Sequence, residues 1–108
     1  MNTEIFKALA EPNRLDIIQL LLKESLTVGE IANKLKLNQP QTSKHLRVLN
    51  EAGLVEKQPV GNRRIYKIRP EPLEELDDWL DTYRHLWEER MDRLDDYLQV
   101  LQGKKPLN

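Results

Sequence analysis

Side chains that hydrogen bond to the edges of nucleic-acid bases are concentrated in one short stretch of this sequence, residues 38–47. A glutamine amide bonds bidentately to an adenine edge, a lysine donates to guanine, and a serine bonds to a base or to a phosphate. An arginine further along such a stretch suits the phosphate backbone. The candidate base-contacting residues are therefore Gln39, Gln41, Ser43 and Lys44, with Arg47 as a phosphate contact.

Two other residues of this stretch join the candidate DNA-binding set, although each also has a structural interpretation. Thr42 falls on the predicted inner face of a helix, together with Leu46 and Leu49. His45 either contacts DNA or packs against the preceding helix. We therefore assign His45 a mixed structural and phosphate-binding role.

A second group of cations lies in a predicted β-hairpin. The segments Leu54–Val60 and Arg63–Ile68 are predicted to be strands, because Gly61-Asn62 between them suits a two-residue turn. The cations of the hairpin are Lys57, Arg63, Arg64, Lys67 and Arg69. Its tip, formed by Asn62, Arg63 and Arg64, suits the sugar–phosphate backbone or an adjacent minor groove.

Local signals place residues 38–47 at the start of a helix. Asn38 is a good N-cap, Gln41 follows at N3, and the helix is predicted to run to about Ala52, with Gly53 as the residue that ends it. The preceding helix begins with a capping box formed by Thr27 and Glu30 and ends near Leu35. The two helices and their short turn are typical of a helix-turn-helix.

An earlier helix opens at Pro12, where a missing N–H costs nothing, and buries a stripe that includes Leu15, Ile18 and Leu21. Short helices followed by a cationic hairpin describe a winged helix-turn-helix, mostly α with a small β-hairpin. In that arrangement the N-terminal half of the second helix of the motif enters the major groove of double-stranded DNA.

The distribution of charge supports a polyanionic partner for one part of the chain. Residues 1–69 carry 12 Lys and Arg against 7 Asp and Glu, whereas residues 70–108 carry 5 against 11. The basic excess is densest over residues 36–69. A net charge of −1 conceals this asymmetry, which is typical of a nucleic-acid partner for the basic part.

A long helix from about Leu73 to Leu101 is predicted to mediate dimerisation. Its apolar residues recur at spacings of three and four, close to a heptad stripe, and at 1.5 Å per residue it would be about 43 Å long, too long for a domain of this size to cover. The candidate dimer residues of this helix are Leu76, Leu80, Tyr83, Trp87, Met91, Leu94 and Leu98. Those of a first helix are Ile5, Phe6 and Leu9.

Several classes of protein are excluded by composition. The chain has no cysteine, which removes disulfides, thiolate metal sites and cysteine nucleophiles. No apolar run is long enough for a membrane span or a signal peptide, so we expect a soluble cytoplasmic protein. The sequence contains no Ser/His/Asp set and no glycine-rich phosphate loop, and therefore we expect neither an enzyme nor a cofactor.

The sequence resembles the ArsR-type (ArsR/SmtB) winged-helix repressors. The resemblance is carried by the motifs at Glu11–Leu15, Leu26–Ala32, Leu37–Leu49, Ala52–Val55 and Gly61–Tyr66. It implies a homodimeric transcriptional repressor that binds an inverted repeat near a promoter. It also implies dimerisation through the first and last helices, here Thr3–Leu9 and Leu73–Leu101. The expected organisation is a single domain over 1–108, with dimerisation helices at 1–11 and 70–102, the helix-turn-helix and wing at 12–69, and a frayed tail at 103–108.

The sequence departs from the metal-sensing members of that family. The cysteine pair used by one type of site is absent, and the last helix offers only His85, with Asp81 and two glutamates at helical spacing. The last helix, over Tyr83–Leu94, looks like that of a branch of the family that does not sense metals. Three alternatives remain open: a metal-responsive repressor with a site at His85 and Asp81, a protein–protein adaptor that uses the acidic last helix, and control by an unknown protein or small-molecule inducer.

Overall fold

The computed structural model describes residues 2–103 of the chain, and the last five positions predicted as a frayed tail lie outside that range. These residues form two compact units, which are divided in the chain between Glu74 and Glu75. The elements in chain order are α1 (Thr3–Leu9), α2 (Pro12–Leu21), β1 (Leu26–Thr27), α3 (Val28–Leu35), α4 (Gln39–Glu51), β2 (Val55–Val60), β3 (Arg63–Ile68) and α5 (Pro70–Leu101). The prediction of a mostly helical fold with a small antiparallel sheet is confirmed.

The helix-turn-helix consists of α3 and α4, and its predicted caps are present. The Thr27 Oγ1 accepts from the Glu30 backbone N–H at 3.2 Å, and the Glu30 carboxylate accepts from the Thr27 N–H at 2.9 Å. At α4 the Asn38 Oδ1 accepts from the Gln41 N–H at 2.8 Å. These bonds satisfy N–H groups that have no partner within the helix, and thereby fix where each helix begins.

Both helices end with the paired bonds of a Schellman motif. After α4, Leu54 N–H donates to Leu49 O at 3.0 Å and Gly53 N–H to Asn50 O at 2.9 Å, with Gly53 at a φ of 78°. After α3, Leu37 N–H donates to Ala32 O at 2.9 Å. Here the left-handed position is taken by Lys36, at a φ of 57°, so that no glycine marks the turn in the sequence.

The sheet has three strands in the order β1-β3-β2, one more than the predicted hairpin. In β1, Leu26 pairs with Tyr66 and Thr27 with Ile65, both antiparallel. The sequence does not indicate β1, because a two-residue strand has no periodicity of its own. The strand attaches the wing to the residue that caps α3.

One hydrophobic core joins α1–α4 and the sheet. Helices α2, α3 and α4 and strand β2 each contribute a fully buried side chain, namely Ile17, Ile31, Leu46 and Val55. Arg14 of α2 ties down α1, since its Nε donates to Ala8 O at 2.6 Å. The core therefore holds α4 against α2 and α3 and leaves its opposite face in solvent.

The long helix α5 begins three residues earlier than predicted. Pro70 and Pro72 both lie in the first turn of α5, where helix N–H groups have no intrahelical partner, so neither proline interrupts the helix. No residue of α5 is buried, and its large apolar side chains, such as Trp79 and Trp87, are about half exposed (55% and 52%). None of the helices within residues 2–103 has the length and apolarity required to cross a bilayer.

Candidate nucleic-acid interface

The N-terminal half of α4 presents the candidate base-contacting side chains to solvent. Gln39, Gln41 and Lys44 are exposed, and Ser43 is half-buried. Consecutive residues of a helix are about 100° apart, so Gln39 and Gln41 diverge by about 200° and lie near opposite edges of the exposed face. The centre of that face carries Lys44 and Arg47, flanked by Ser43.

Thr42 is fully buried, and its Oγ1 donates to the Asn38 backbone carbonyl at 2.9 Å. The hydroxyl is therefore already bonded inside the first turn of α4, and the side chain has no solvent-facing surface to offer to a base. Its placement in the candidate DNA-binding set is corrected: Thr42 stabilises the start of the recognition helix from within. The helical spacing to Leu46 was the signal that pointed to this role.

His45 lies on the inner side of α4 with 14% of its side chain exposed. Its Nδ1 is 3.8 Å from the Oε2 of Glu11, the residue that caps α2, while its Nε2 is buried with no hydrogen-bond partner. Of the two interpretations left open for His45, the structure places the side chain in the packing interface rather than on the exposed face.

Arg63, which directly follows the turn of the wing, forms an ion pair with a carboxylate of α3. Its Nη2 lies 2.6 Å from the Oε1 of Glu30. The pKa of Glu30 is lowered, chiefly by the hydrogen bond from the Thr27 backbone N–H and next by the Thr27 side chain. Burial opposes this effect, and the charge and the hydrogen bond of Arg63 each lower the pKa by less than burial raises it. Arg63 is therefore a partner of α3 although its side chain is exposed, whereas the exposed Arg64 has no ion pair within residues 2–103.

The cations of the hairpin separate into paired and unpaired ones. Lys67 lies 3.2 Å from Glu56 and Arg69 lies 3.8 Å from Glu71. Lys57 and Arg64 form no ion pair with any residue in the range 2–103. Unpaired cations beside an exposed helix are the ones whose charge is available to a polyanion.

A polar cleft separates α4 from the sheet and was not anticipated from the sequence. It encloses about 310 Å³ and is lined by Ser43, Leu46, Arg47, Asn50, Lys57 and Tyr66. Lys57 and Tyr66 are register partners on β2 and β3, which brings both to the same position of the sheet. The signal that could have indicated it is the spacing of Ser43, Arg47 and Asn50 along one side of α4.

The side chains of the candidate dimer residues differ in their exposure to solvent. Ile5 is buried in the core of its own unit and Leu9 packs against that core, while Phe6 is 42% exposed. On α5, Leu76 is half-buried and the others are exposed. The exposed members are Leu80, Tyr83, Trp87, Met91, Leu94 and Leu98.

The candidate metal ligands do not form a cluster. His85 Nε2 lies 3.5 Å from Asp81 Oδ2, and Arg84 binds the same aspartate at 3.3 Å. Across residues 2–103, no group of three or more His, Asp or Glu side chains is arranged to hold a metal ion.

The chain is similar to known regulatory proteins in sequence. Residues 11–57 match the family model described as "Bacterial regulatory protein, arsR family". The chain is 40% identical over 78 residues to the HTH-type transcriptional regulator Rv2034 of Mycobacterium tuberculosis, covering 72% of this chain and 73% of the relative.

The chain is also similar to solved structures of transcriptional regulators. The ArsR family transcriptional regulator RHA00566 superposes with a TM-score of 0.69 at 31% identity, covering 80% of this chain and 94% of that one. The homodimeric winged helix-turn-helix DNA-binding domain of Mb0332 from Mycobacterium bovis, a possible ArsR-family regulator, gives 0.64 at 31% identity, with 82% of each chain covered. The exposed, capped α4, the wing beside it and these matches lead to one conclusion: the chain belongs to the ArsR family of winged helix-turn-helix, DNA-binding transcriptional regulators.

Proposed function

We propose that this protein is a sequence-specific transcriptional repressor that binds double-stranded DNA as a homodimer at an inverted repeat. The observation that carries the proposal is the exposed face of α4, where Lys44 and Arg47 lie beside the half-buried Ser43. The wing adds Arg64, which is exposed and forms no ion pair with any residue in the range 2–103. Base edges in the major groove are read by such side chains, and the cations bind the flanking phosphates. A regulator of this kind acts where a prokaryotic cell keeps its chromosome, in the cytoplasm.

The homodimer is supported by the exposed apolar stripe of α5. The stripe includes Leu80, Trp87 and Leu94, and Phe6 of α1 is exposed as well. Large apolar and aromatic side chains of this kind are typical of the centre of a protein interface. A related winged helix-turn-helix domain, Mb0332, is homodimeric. Two-fold symmetry would place two copies of α4 about one helical turn apart on the duplex, which requires an inverted repeat.

Operator binding is proposed to be independent of metal ions. The chain has no cysteine, and the Asp81 carboxylate next to His85 is already shared with Arg84. A lone histidine with one shared carboxylate is a weak donor set, since tight sites usually bring together three or four ligands. We propose no catalytic activity, in keeping with a family of transcriptional regulators.

The test selects DNA duplexes from a randomised pool by their binding to the wild-type protein, with and without a chelator, and sequences the duplexes that are retained. An enriched inverted repeat in both conditions is the expected result. Enrichment that added divalent metal abolishes would contradict metal independence and revive His85 and Asp81 as ligands. Absence of enrichment at about 50 mM salt would overturn the repressor and favour the adaptor, in which the acidic α5 binds a protein partner.

A matched pair of variants tests the assignment of α4. The triple variant Gln39→Ala, Ser43→Ala, Lys44→Ala should lose the selected operator, because it removes donors to base edges. The control changes the same residue types elsewhere, in Gln19→Ala, Lys23→Ala, Ser25→Ala, all of them exposed around the end of α2. Equal operator affinity in the two triple variants would show that α4 does not read the sequence.

A further inference from the structure

The cleft between α4 and the sheet has the composition of an anion site. Two cations, Arg47 and Lys57, line it together with the polar side chains of Ser43, Asn50 and Tyr66, and no carboxylate is among its lining residues. Leu46, which is fully buried, forms part of its wall. Hydroxyl and amide groups beside cations are the donors that DNA-binding proteins direct to phosphate oxygens.

The charges of this cleft are not neutralised by the protein itself. Neither Arg47 nor Lys57 forms an ion pair within residues 2–103, whereas Arg63, Lys67 and Arg69 of the hairpin each lie within 4 Å of a carboxylate. Both side chains are exposed, so their charges are available to an anion that enters the cleft.

The two sides of the cleft are held by independent features of the fold. Ser43, Arg47 and Asn50 recur at i, i+4 and i+7, which places them on one side of α4. Across from them, Lys57 is held by its register pairing with Tyr66. An anion bound here would contact the recognition helix and the wing at once, and so would fix the angle of α4 to the nucleic acid.

We propose that this cleft binds one phosphate of the DNA backbone, with Arg47 on the helix side and Lys57 on the sheet side. The inference rests on the proposed function, because the occupant is a phosphodiester of the duplex that α4 reads. It adds Lys57, Asn50 and Tyr66 to the DNA interface. The cleft lies beside the exposed face that carries Ser43 and Arg47, so that a strand whose bases face α4 also passes the cleft.

The salt dependence of binding tests the site. Arg47→Gln and Lys57→Gln should each weaken binding to the selected operator and to an unrelated duplex by the same factor, because a phosphate contact carries no sequence information. The double variant should lower the slope of log K against log salt by roughly 1, the value for one phosphate. The control Lys67→Gln removes a cation that Glu56 already neutralises, and it should leave the slope unchanged.

Phosphate ethylation provides a second readout that a loss of folding would not imitate. One phosphate whose ethylation weakens binding of the wild-type protein should cease to matter for the Arg47→Gln, Lys57→Gln double variant. If both single variants bind with the wild-type slope and ethylation pattern, the cleft is not a phosphate site. Failure of the proposed function is a different result, namely that the wild-type protein binds no duplex at all.

Discussion

The guanidinium of Arg63 and the carboxylate of Glu30, 33 positions apart in the chain, lie 2.6 Å from each other. The same Glu30 Oε1 accepts from the Thr27 backbone N–H at 2.9 Å. One carboxylate oxygen therefore closes the capping box of α3 and also binds the residue that follows the turn of the wing. Glu30 thus links two parts of the molecule that the sequence presents as separate motifs.

The first prediction concerns acid stability. The pKa of Glu30 is lowered from its usual 4.5, so its ionised form adds stability above that value, and this contribution is lost as pH falls through the lowered pKa. Glu30→Gln lacks the contribution at every pH. We expect the wild-type protein to be the more stable of the two at pH 7 and the difference to shrink as the pH falls through the lowered pKa, measured by urea denaturation over a series of acid pH values.

Glu51→Gln is the control for that experiment. Glu51 is exposed and forms no hydrogen bond or ion pair through its side chain within the described part of the chain. Its substitution should therefore leave the pH profile of the wild-type protein unchanged. A difference between wild type and Glu30→Gln that stays constant over the whole acid series would show that the ionised carboxylate is not what stabilises the fold.

The second prediction separates the two arginines of the wing. Arg64 is exposed without an ion pair in residues 2–103, whereas Arg63 is neutralised by Glu30. Arg64→Ala should lower the slope of log K against log salt by roughly 1, while Arg63→Ala should leave it near the wild-type value. The sequence alone placed both at the backbone. A reduced slope for Arg63→Ala would mean that Arg63 leaves Glu30 when DNA binds.

The third prediction concerns the turn between α3 and α4. Lys36 is the single non-glycine residue with positive φ among residues 2–103, and a side chain in the left-handed region is strained by contact with its own backbone. Lys36→Gly should therefore raise the free energy of unfolding by up to about 1 kcal/mol.

Lys34→Gly is its matched control, since Lys34 lies in the last turn of α3 with ordinary helical φ. That change should lower the free energy of unfolding by roughly 0.5–1 kcal/mol. The exposed Lys34–Glu24 pair that it also removes contributes little. If glycine destabilises both positions equally, the conformation of Lys36 in solution is not left-handed.

The fourth prediction tests the stripe of α5. Trp87 lies in the middle of the stripe and is 52% exposed. If it is a central anchor of the dimer, Trp87→Ala should weaken association at least roughly 30-fold, the effect of losing about 2 kcal/mol. Sedimentation equilibrium over a range of protein concentrations measures the change.

Asp78→Ala is the matched control on the same helix. Asp78 is exposed and lies nine residues from Trp87, which places it about 180° around α5. Its loss should leave the dimer intact. A wild-type protein that stays monomeric at all concentrations, or equal weakening by the two substitutions, would overturn the assignment of this face.

The features predictable from the sequence are those with a short-range cause. Thr27 with Glu30, Asn38 with Gln41, and Gly53 after α4 each act within three or four residues, and all three caps are present in the structure. The start of α5 at Pro70 was missed although it is also local, because proline is tolerated in a first turn as well as being a helix breaker.

The features that could not be predicted depend on residues far apart in the chain. The strand β1 forms because Leu26 pairs with Tyr66, 40 positions later in the chain. Whether Arg63 of the wing has an ion-pair partner depends on Glu30 of α3. The cleft requires α4 and β2 to be placed side by side before Arg47 and Lys57 belong to one site. The sequence was enough to identify the kinds of side chain that suit DNA. Which of the cations are free to bind it depends on the ion pairs that the fold creates, and these could not be predicted.

The pairing of β1 with β3 bears on the rate at which the protein would find its operator. Thr27 is bonded through its backbone to the wing strand and through its side chain to α3, so that wing and helix-turn-helix share one rigid attachment. A site that is ordered before the encounter loses little conformational entropy on binding. Association should then be limited by diffusion and electrostatic attraction, with a rate constant that falls as salt is added, rather than by a slow ordering of the wing.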